Sequence, residues 1–262
     1  MTASPPSPAA GANRPSRSPS DAGTLPEPQV RAMFDRIAGV YDRMNAIMTA
    51  GLHHQWRRRA ADLAAVRPGA RALDVATGTG DLALELARRV APGGTVVGAD
   101  FSERMLELAR EKAQRKRMAG VIPGGVELRF EPANALALPY SDGEFEAATV
   151  GFGARNFSDL DRGLAEMARV VRPGGRVVVL EITTPTRPPL STFLEVWFDR
   201  IVPALGRLAG DPDAYTYLPS SVRRFPPPDG LAAAMWRAGL RSISYRVTAG
   251  GIIALHVGEV PR

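Results

Sequence analysis

Short apolar runs alternate with longer amphipathic stretches through the middle of the chain. In the longer stretches apolar residues recur at helical spacing. Two helices are predicted at Asp81–Val90 and Ser102–Met118, and a further one has Ser158 as its N-cap. The apolar runs predict strands at Arg71–Ala76, Thr95–Ala99, Val126–Phe130, Phe145–Val150 and Val177–Ile182. Strands that alternate with helices across short glycine turns indicate an α/β fold with a doubly wound parallel sheet.

The end of the chain departs from this alternation. Ile243–Val247 and Ile252–Val257 read as strands, but only Thr248-Ala249-Gly250-Gly251 separates them. A parallel crossover needs a dozen or more residues, so these two strands must form an antiparallel hairpin. We therefore expect a seven-stranded sheet, mostly parallel, that ends in an antiparallel hairpin.

Composition divides the chain into a tail and one domain. Residues 1–28 are rich in proline and serine and are expected to be disordered, whereas residues 29–262 are expected to form a single domain. Within that domain, residues 29–69 predict a helical N-terminal cap, and residues 184–228 predict an insert on the substrate side.

The loop after the first predicted strand carries most of the chemistry. Asp74 is followed by Ala76, Gly78 and Gly80, and a helix begins at once, which brings backbone N–H groups against a ligand. Asp100 ends the next strand, well placed to accept hydrogen bonds from two ribose hydroxyls. These features predict a site for a nucleoside cofactor.

Two cofactor classes fit such a loop. A dinucleotide fingerprint has a third glycine where this chain has Ala83, and dehydrogenase sheets are normally parallel throughout. The close glycine spacing and the terminal hairpin instead resemble a Rossmann-like class I methyltransferase, which implies S-adenosylmethionine as cofactor, with Asp74, Gly78 and Gly80 in the binding loop. A nicotinamide or flavin oxidoreductase remains the alternative, as does a protein that binds S-adenosylmethionine without catalysis.

Composition and charge narrow the function further. The chain has no cysteine and three histidines, so no metal site is expected. Net charge is +6, but the dense basic run from Arg110 to Arg117 includes Glu111 and has no aromatic residue, which favours a solvated helix face over a nucleic-acid surface. No signal peptide and no membrane-spanning segment is recognisable, so a cytoplasmic protein is expected.

Three further blocks resemble one methyltransferase family in particular. They are Tyr41–Met48 with His53–Trp56, Arg169–Glu181, and Tyr217–Pro226 with Ala249–His256. Together they are similar to the quinone C-methyltransferases of menaquinone and ubiquinone synthesis, from about Val30 to Val257. The resemblance implies C-methylation of demethylmenaquinol to menaquinol, the last step of menaquinone synthesis. The alternatives are a 2-polyprenyl-6-methoxy-benzoquinol of ubiquinone synthesis or a dual function.

The same resemblance places the cofactor on individual residues. It implies Thr79 in the loop, Asp100 on the ribose, and Asn134 with Ala135 beside the adenine. An Asn amide at Asn134 can bond the purine edge, although a turn residue that caps its own backbone is the alternative. The family often has Ser where this chain has Gly151, so only a backbone contact is expected there.

The chemistry requires a group that stabilises a quinolate and a group that takes its proton. Arg155 and Asn156 leave the carboxyl end of the fourth strand, where open α/β sheets bind ligands. Arg155 suits the oxyanion, although a surface ion pair with Asp159 or Asp161 is equally compatible with the sequence. Tyr41 and Asp42 of the cap are expected to close over the site, with Asp42 or His53 as proton acceptor.

The predicted insert suggests how a polyprenyl tail is held. Its apolar residues define either a core helix or a tail groove with transient, peripheral membrane contact, and they are Phe193, Leu194, Val196, Trp197, Phe198, Ile201, Val202, Leu205 and Leu208. A homo-oligomer is compatible with the sequence.

Overall fold

The computed structural model describes residues 26–49, 51–185, 188–202 and 212–262. From β1 to β5 each strand is followed by a helix, as the sequence predicts, except β3, which a loop joins directly to β4. The strands are β1 Arg71–Val75, β2 Thr95–Asp100, β3 Glu127–Pro132, β4 Phe145–Gly151, β5 Val171–Ile182, β6 Arg241–Thr248 and β7 Ile253–Glu259. The helices are α1 Glu27–Thr49, α2 His53–Leu63, α3 Asp81–Arg89, α4 Glu103–Met118, α5 Leu160–Val170, α6 Leu190–Val196, α7 Pro212–Arg224 and α8 Pro228–Arg237.

The seven strands form one sheet in the order β3-β2-β1-β4-β5-β7-β6. Strands β1 to β5 pair in parallel, and β7 lies antiparallel between β5 and β6. Val179 faces His256 across the β5–β7 pair, and Tyr245 faces His256 across the β6–β7 pair. The predicted fold, a mostly parallel sheet with an antiparallel C-terminal hairpin, is therefore confirmed.

Successive strand residues belong to different cores, because side chains alternate between the two faces of a sheet. Ala72 packs with Trp56 and Leu106, under helices α2, α3 and α4. Its neighbour Leu73 packs with Leu164 and with other residues of α5 and α8. Both strand faces are buried, so the parallel strands read as nearly continuous apolar runs.

A third cluster joins the N-terminal cap to the insert. Val30, Met33 and Ile37 on one face of α1 pack against apolar residues that follow β5, which are Leu194, Phe198, Val202, Tyr217 and Val222. Cap and insert thus meet each other at the carboxyl ends of the strands, above the edge of the sheet where ligands bind in open α/β folds.

Element boundaries differ from the expectations in a few places. Helix α1 begins at Glu27, two residues before the predicted boundary of the tail, and the tail itself up to residue 25 lies outside the described residues. Leu205 and Leu208 of the insert lie outside them as well. Asp159 rather than Ser158 caps α5, because its side chain accepts a hydrogen bond from Arg162 N.

Strand β5 is longer than predicted, because it starts at Val171. In the pairing with β4, Val171 lies opposite Phe145 and Arg176 lies opposite Ala147, so the register shifts between these two pairs. The predicted turn at Gly174 and Gly175 therefore forms an irregularity inside the strand. Among the described residues, no helix combines the length and the apolar character that a membrane crossing requires.

Candidate active site

The loop between β1 and α3 turns sharply at its glycines. Gly78 has φ 55° and Gly80 has φ 83°, both in the left-handed region that favours glycine. A Cβ atom on Gly80 would lie 2.9 Å from the ring of Phe130, which fills the space beside the loop. The close glycine spacing therefore has two causes, the backbone conformation and the aromatic ring from β3.

Asp74 supports this loop from below. Its carboxylate accepts hydrogen bonds from Thr77 Oγ1 at 2.6 Å and from Thr149 Oγ1 at 2.7 Å. Burial raises the pKa of Asp74 to about 6, although the two hydroxyls and the charge of Arg57 act in the opposite direction. Asp74 lines the crevice, but its hydrogen bonds are made to protein groups, so its main effect is to fix the loop.

Asp100 occupies the end of β2, as predicted for the residue that holds the ribose. Its Oδ2 accepts from Gly78 N at 2.8 Å and its Oδ1 from Ser102 N at 2.9 Å. Burial raises the pKa of this carboxyl to about 6, against the effect of those backbone donors. Each oxygen has a second lone pair, so the carboxylate can still accept two ribose hydroxyls.

A crevice runs across the carboxyl ends of β1 to β4 beneath α1. It brings together the predicted cofactor residues Asp74, Gly78, Thr79, Asp100, Asn134 and Ala135, along with Gly151 and Asn156, and on the cap side Glu27, Phe34 and Tyr41. Gly80 is not part of the lining; it acts through the turn into α3. Loop amides for the polar tail, a carboxylate for the ribose and an amide beside the adenine fit S-adenosylmethionine.

Asn134 makes the turn contact that the sequence offered as one alternative, together with a contact to the cap that the sequence did not predict. Its Oδ1 accepts from Leu136 N at 2.8 Å, which is the turn capping, and its Nδ2 donates to Glu27 Oε1 at 2.8 Å. The amide thus reaches the cap helix in this structure, and Ala135 lies beside it in the crevice.

Three carboxylates of α1 each contact a different cofactor loop. Glu27 accepts from Asn134 after β3, Asp35 accepts from Ser102 Oγ at 2.5 Å after β2, and Asp42 accepts from Thr79 Oγ1 at 2.6 Å after β1. Their spacing puts them on one side of the helix. The cap therefore covers the crevice through an acidic stripe, which the apolar periodicity of α1 did not reveal.

Asp42 takes part in a charged network at the loop. Besides Thr79, its carboxylate contacts Lys112 Nζ at 2.6 Å, and the same ammonium lies 2.7 Å from Asp81 Oδ1. Asp42 is thus held by two donors and is not among the residues that line the crevice, which disfavours its predicted role as the proton acceptor. The basic run from Arg110 to Arg117 predicts a solvated position for Lys112, but its side chain is only 13% exposed.

Arg155 forms a buried ion pair at the end of the fourth strand. Its Nη1 lies 2.8 Å from Glu181 Oε1, with side-chain exposures of 7% and 1%. The alternative that the sequence left open, a surface pair with Asp159 or Asp161, is wrong, because Asp159 caps α5 and Asp161 pairs with Arg237. Within the described part of the chain, no group bonds the buried Arg155 Nε or Asn156 Oδ1.

A second, mostly apolar cavity of about 460 Å³ adjoins the crevice. Tyr41, Arg57 and Phe152 line both spaces, so they mark the boundary at which a cofactor and a second ligand meet. The cavity also contains Arg155 and His53, and its apolar walls include Met48, Leu52, Trp56, Phe193, Leu194, Trp197, Phe198, Ile252 and Ile253. Arg57 was not predicted, because sequence alone does not distinguish it from its exposed neighbours Arg58 and Arg59.

His53 is buried in the wall of this cavity. Thr49 Oγ1 donates to Asn45 O, so at 2.6 Å the Nδ1–H of His53 must donate to Thr49 and Nε2 is left as an acceptor. Burial, together with the charge of Arg57, lowers the pKa of His53 to about 4, so the ring is neutral at pH 7.

His53, His54 and Asp81 have donor atoms within 4.8 Å of one another, a grouping that could hold a metal ion although none was expected. Arg57 and Lys112 already neutralise Asp81, with closest contacts of 3.4 Å and 2.7 Å. A bound cation would therefore meet two positive charges, which makes this grouping a poor metal site.

Comparison with solved structures supports the fold. The [4+2]-cyclase SpnF aligns with 91% of this chain and 98% of its own at a TM-score of 0.65 and 18% identity. An S-adenosylmethionine-dependent methyltransferase of Thermotoga maritima aligns with 87% and 98% at a TM-score of 0.58 and 18% identity. At this level of identity the likeness shows a shared fold and nothing more.

Sequence relatives are much closer. A demethylmenaquinone methyltransferase of Thermus thermophilus is 48% identical over 87% of this chain and 100% of its own length, and one of Deinococcus radiodurans is 45% identical over 88% and 92%. The ubiquinone/menaquinone biosynthesis C-methyltransferase UbiE of Escherichia coli O139:H28 is 43% identical over 87% and 89%.

The family model agrees with these relatives and covers nearly the whole domain. It confirms the predicted enzyme class, a methyltransferase, and with it the S-adenosylmethionine cofactor. Residues 23–260 match the model of the ubiE/COQ5 methyltransferase family, and the chain therefore belongs to that family.

Proposed function

We propose that this protein methylates a ring carbon of demethylmenaquinol to give menaquinol, with S-adenosylmethionine as methyl donor. The observation that carries the proposal is the apolar cavity that meets the cofactor crevice at Tyr41 and Phe152 and contains Arg155. A fused aromatic ring with a prenyl chain needs apolar walls, and its two oxygens need a few polar groups. The names of the relatives from Thermus thermophilus and Deinococcus radiodurans support the naphthoquinol.

The cavity offers the groups that a quinol methylation requires. When bound, S-adenosylmethionine supplies an electrophilic methyl group on its sulfonium. Arg155 has a buried Nε–H that no described residue bonds, and it can donate to a ring oxygen that carries developing negative charge. Glu181 orients the guanidinium and neutralises it in the absence of substrate.

The proton of the quinol hydroxyl needs an acceptor on the cavity side. His53 lines this cavity with Nε2 available, because Nδ1 is bound to Thr49. It would take the proton from the hydroxyl as the ring carbon accepts the methyl group of the bound cofactor. It would return that proton to the ring oxygen when the ring proton at the methylated carbon is lost to water, so that one proton is released in all. Tyr41 and Phe152 form the walls that align the ring and exclude solvent.

The prenyl tail leaves the cavity across an exposed apolar rim. Ile47 is 62%, Leu52 48%, Phe193 53% and Val196 45% exposed, and three of them also line the cavity. Exposed arginines accompany this rim, with Arg43 one turn before Ile47 and Arg200 one turn after Val196. We infer a transient, peripheral contact with anionic lipid, through which the tail passes into the bilayer.

A benzoquinol of ubiquinone synthesis is the second candidate substrate, since the relative from Escherichia coli is named for both quinones. To test the substrate, purified protein is incubated with S-adenosylmethionine and either reduced demethylmenaquinone or a reduced 2-polyprenyl-6-methoxy-benzoquinone. Mass spectrometry identifies the products. One added methyl group on the naphthoquinol supports the proposal. Methylation of the benzoquinol alone moves the function to ubiquinone synthesis, and the absence of both products overturns the substrate assignment.

The membrane contact has its own test with a matched pair of variants. Val196→Glu places a charge on the rim at a residue that lines neither space, whereas Trp236→Glu alters an exposed apolar residue of α8 that also lines neither. We expect V196E alone to lose co-sedimentation with vesicles of anionic phospholipid and to keep its turnover of a quinol with a short, water-soluble tail. Equal binding by both variants would contradict the assignment of the rim.

A further inference from the structure

The order of the strands fixes the order of the cofactor's parts across the crevice. Asn134 follows β3, Asp100 ends β2, and the glycine loop follows β1, and these three strands are neighbours in the sheet. With adenine beside Asn134 and ribose on Asp100, the amino-acid tail of the cofactor must extend toward the start of α3. Two charged side chains lie there, Asp81 in the first turn of α3 and Arg57 from α2.

Arg57 is a buried cation with unused hydrogen-bonding capacity. The residue is 6% exposed, and among residues 26–49, 51–185, 188–202 and 212–262 its Nη1 has no hydrogen-bond partner, although it lies 3.4 Å from Asp81 Oδ2. Its guanidinium carbon lies 5.4 Å from the ring centre of Phe152, which fixes the plane of the group. An arginine donor that is buried and left unbonded costs free energy, so this position is suited to an anion that enters from the crevice.

Asp81 can remain ionised when Arg57 binds a ligand, because it has a second cationic neighbour. Lys112 Nζ lies 2.7 Å from its Oδ1, whereas Arg57 lies nearest to its Oδ2. Burial opposes ionisation, but the charges of Arg57 and Lys112 together lower the pKa of Asp81. The crevice therefore ends in one cation and one anion side by side, with Asp81 stabilised independently by a second cation.

We propose that Arg57 and Asp81 bind the zwitterionic end of the cofactor, Arg57 the α-carboxylate and Asp81 the α-ammonium. An opposed pair of charges matches an amino acid better than it matches a quinol, whose oxygens both carry the same sign. Arg57 also forms part of the wall shared with the apolar cavity, so its engagement by the cofactor places the guanidinium before the second ligand enters. The inference rests on the cofactor alone and does not depend on which quinol is methylated.

Ligands that lack one charge at a time provide the test. Calorimetry measures the affinity of S-adenosylhomocysteine, of its decarboxylated analogue and of its deaminated analogue for the full chain. We expect Arg57→Met to weaken S-adenosylhomocysteine about tenfold or more and to leave the decarboxylated analogue within about twofold. Asp81→Asn is expected to show the complementary pattern, with the deaminated analogue unaffected. Arg59→Met, an exposed neighbour on α2, is the control that should change none of the three.

Two results would overturn the proposal, and the binding and turnover measurements distinguish them. If R57M weakens all three ligands alike, Arg57 supports the fold of the crevice, and thermal unfolding of the variant will show it. If R57M binds S-adenosylhomocysteine normally but turns over quinol slowly, Arg57 acts on the second substrate. Arg57→Lys keeps the charge without the planar fork and should recover part of the affinity. The quinol assays above can fail while this pattern still holds, so the two proposals are separable.

Discussion

Arg155 Nη1 lies 2.8 Å from Glu181 Oε1, and this buried pair links the end of β4 to the end of β5. Glu181 also accepts from its own neighbour, Ile182 N, at 2.8 Å. The guanidinium is therefore neutralised and oriented by a carboxylate that is itself fixed. Among the residues that the structure describes, the buried Arg155 Nε has no protein partner, so it is available to a ligand oxygen.

Neutralising Glu181 should destabilise the protein, because the buried positive charge of Arg155 then has no counter-charge. We expect Glu181→Gln to lower the free energy of unfolding by about 3 to 5 kcal/mol, because Arg155 then remains buried without its counter-charge. Urea unfolding followed by circular dichroism measures the change. Glu259→Gln is the matched control, since its pair with Arg176 is 37–40% exposed and should contribute less than about 1 kcal/mol.

A second variant separates stability from chemistry at the same pair. Arg155→Met combined with Glu181→Leu removes both charges, and we expect it to recover most of the stability that E181Q loses. The double variant should still be inactive toward quinol, with cofactor affinity unchanged. Activity retained by this variant would show that Arg155 does not act on the substrate.

The cofactor loop gives a prediction about backbone geometry. Gly78→Ala and Gly80→Ala both place a side chain at positive φ, but only at Gly80 would the new Cβ lie 2.9 Å from the ring of Phe130. We expect G78A to cost about 1 kcal/mol of stability. G80A should cost about 2 to 3 kcal/mol, since the ring must also move. Urea unfolding in the absence of cofactor tests both, and equal losses would argue against the steric role of Phe130.

Ionisation of Asp100 should lower the stability of the free protein and strengthen cofactor binding, so both quantities should depend on pH. Burial raises its pKa to about 6 from an ordinary value of 3.8, so the ionised carboxylate costs stability above pH 6 and has no cost below pH 4. The difference in unfolding free energy between Asp100→Asn and the parent protein should therefore rise by about 3 kcal/mol from pH 4 to pH 8.

Cofactor affinity should respond to the same group in the opposite sense. Ribose hydroxyls donate to a carboxylate, so the affinity of the parent protein for S-adenosylhomocysteine should increase as the pH rises through about 6. D100N should bind weakly and show a flatter pH profile. Calorimetry at a series of pH values measures both proteins, and an unchanged affinity in D100N would remove Asp100 from the ribose site.

The sequence predicted the sheet well because burial of both strand faces leaves long apolar runs. It also located Gly78, Gly80 and Asp100, since a tight turn and a strand end are local features. The terminal hairpin was readable because the connection between β6 and β7 is too short for any other arrangement.

Hydrogen bonds and ion pairs between residues far apart in the sequence could not be predicted. Glu181 is 26 residues from Arg155, and Glu27 is 107 residues from Asn134. The predicted roles of Asp42 and of Lys112 rested on their local surroundings, whereas their contacts come from other elements that the fold brings together. Local composition also gave no reason to separate the buried Arg57 from Arg58 and Arg59.

The acidic stripe of α1 predicts that cofactor release depends on the cap. Asp35, Asp42 and Glu27 each bond a residue of one cofactor loop, so the helix must leave those bonds before a bound cofactor can escape. We expect Asp35→Asn and Asp42→Asn each to speed the release of S-adenosylhomocysteine several-fold, because a charge-assisted bond contributes about 1.5 to 3 kcal/mol, part of which is kept by the amide. Stopped-flow displacement measures the rate, and Arg31→Gln on the exposed side of α1 is the control. If association of S-adenosylhomocysteine slows by the same factor while its release is unchanged, the three carboxylates help the cofactor to enter and do not retain it once it is bound.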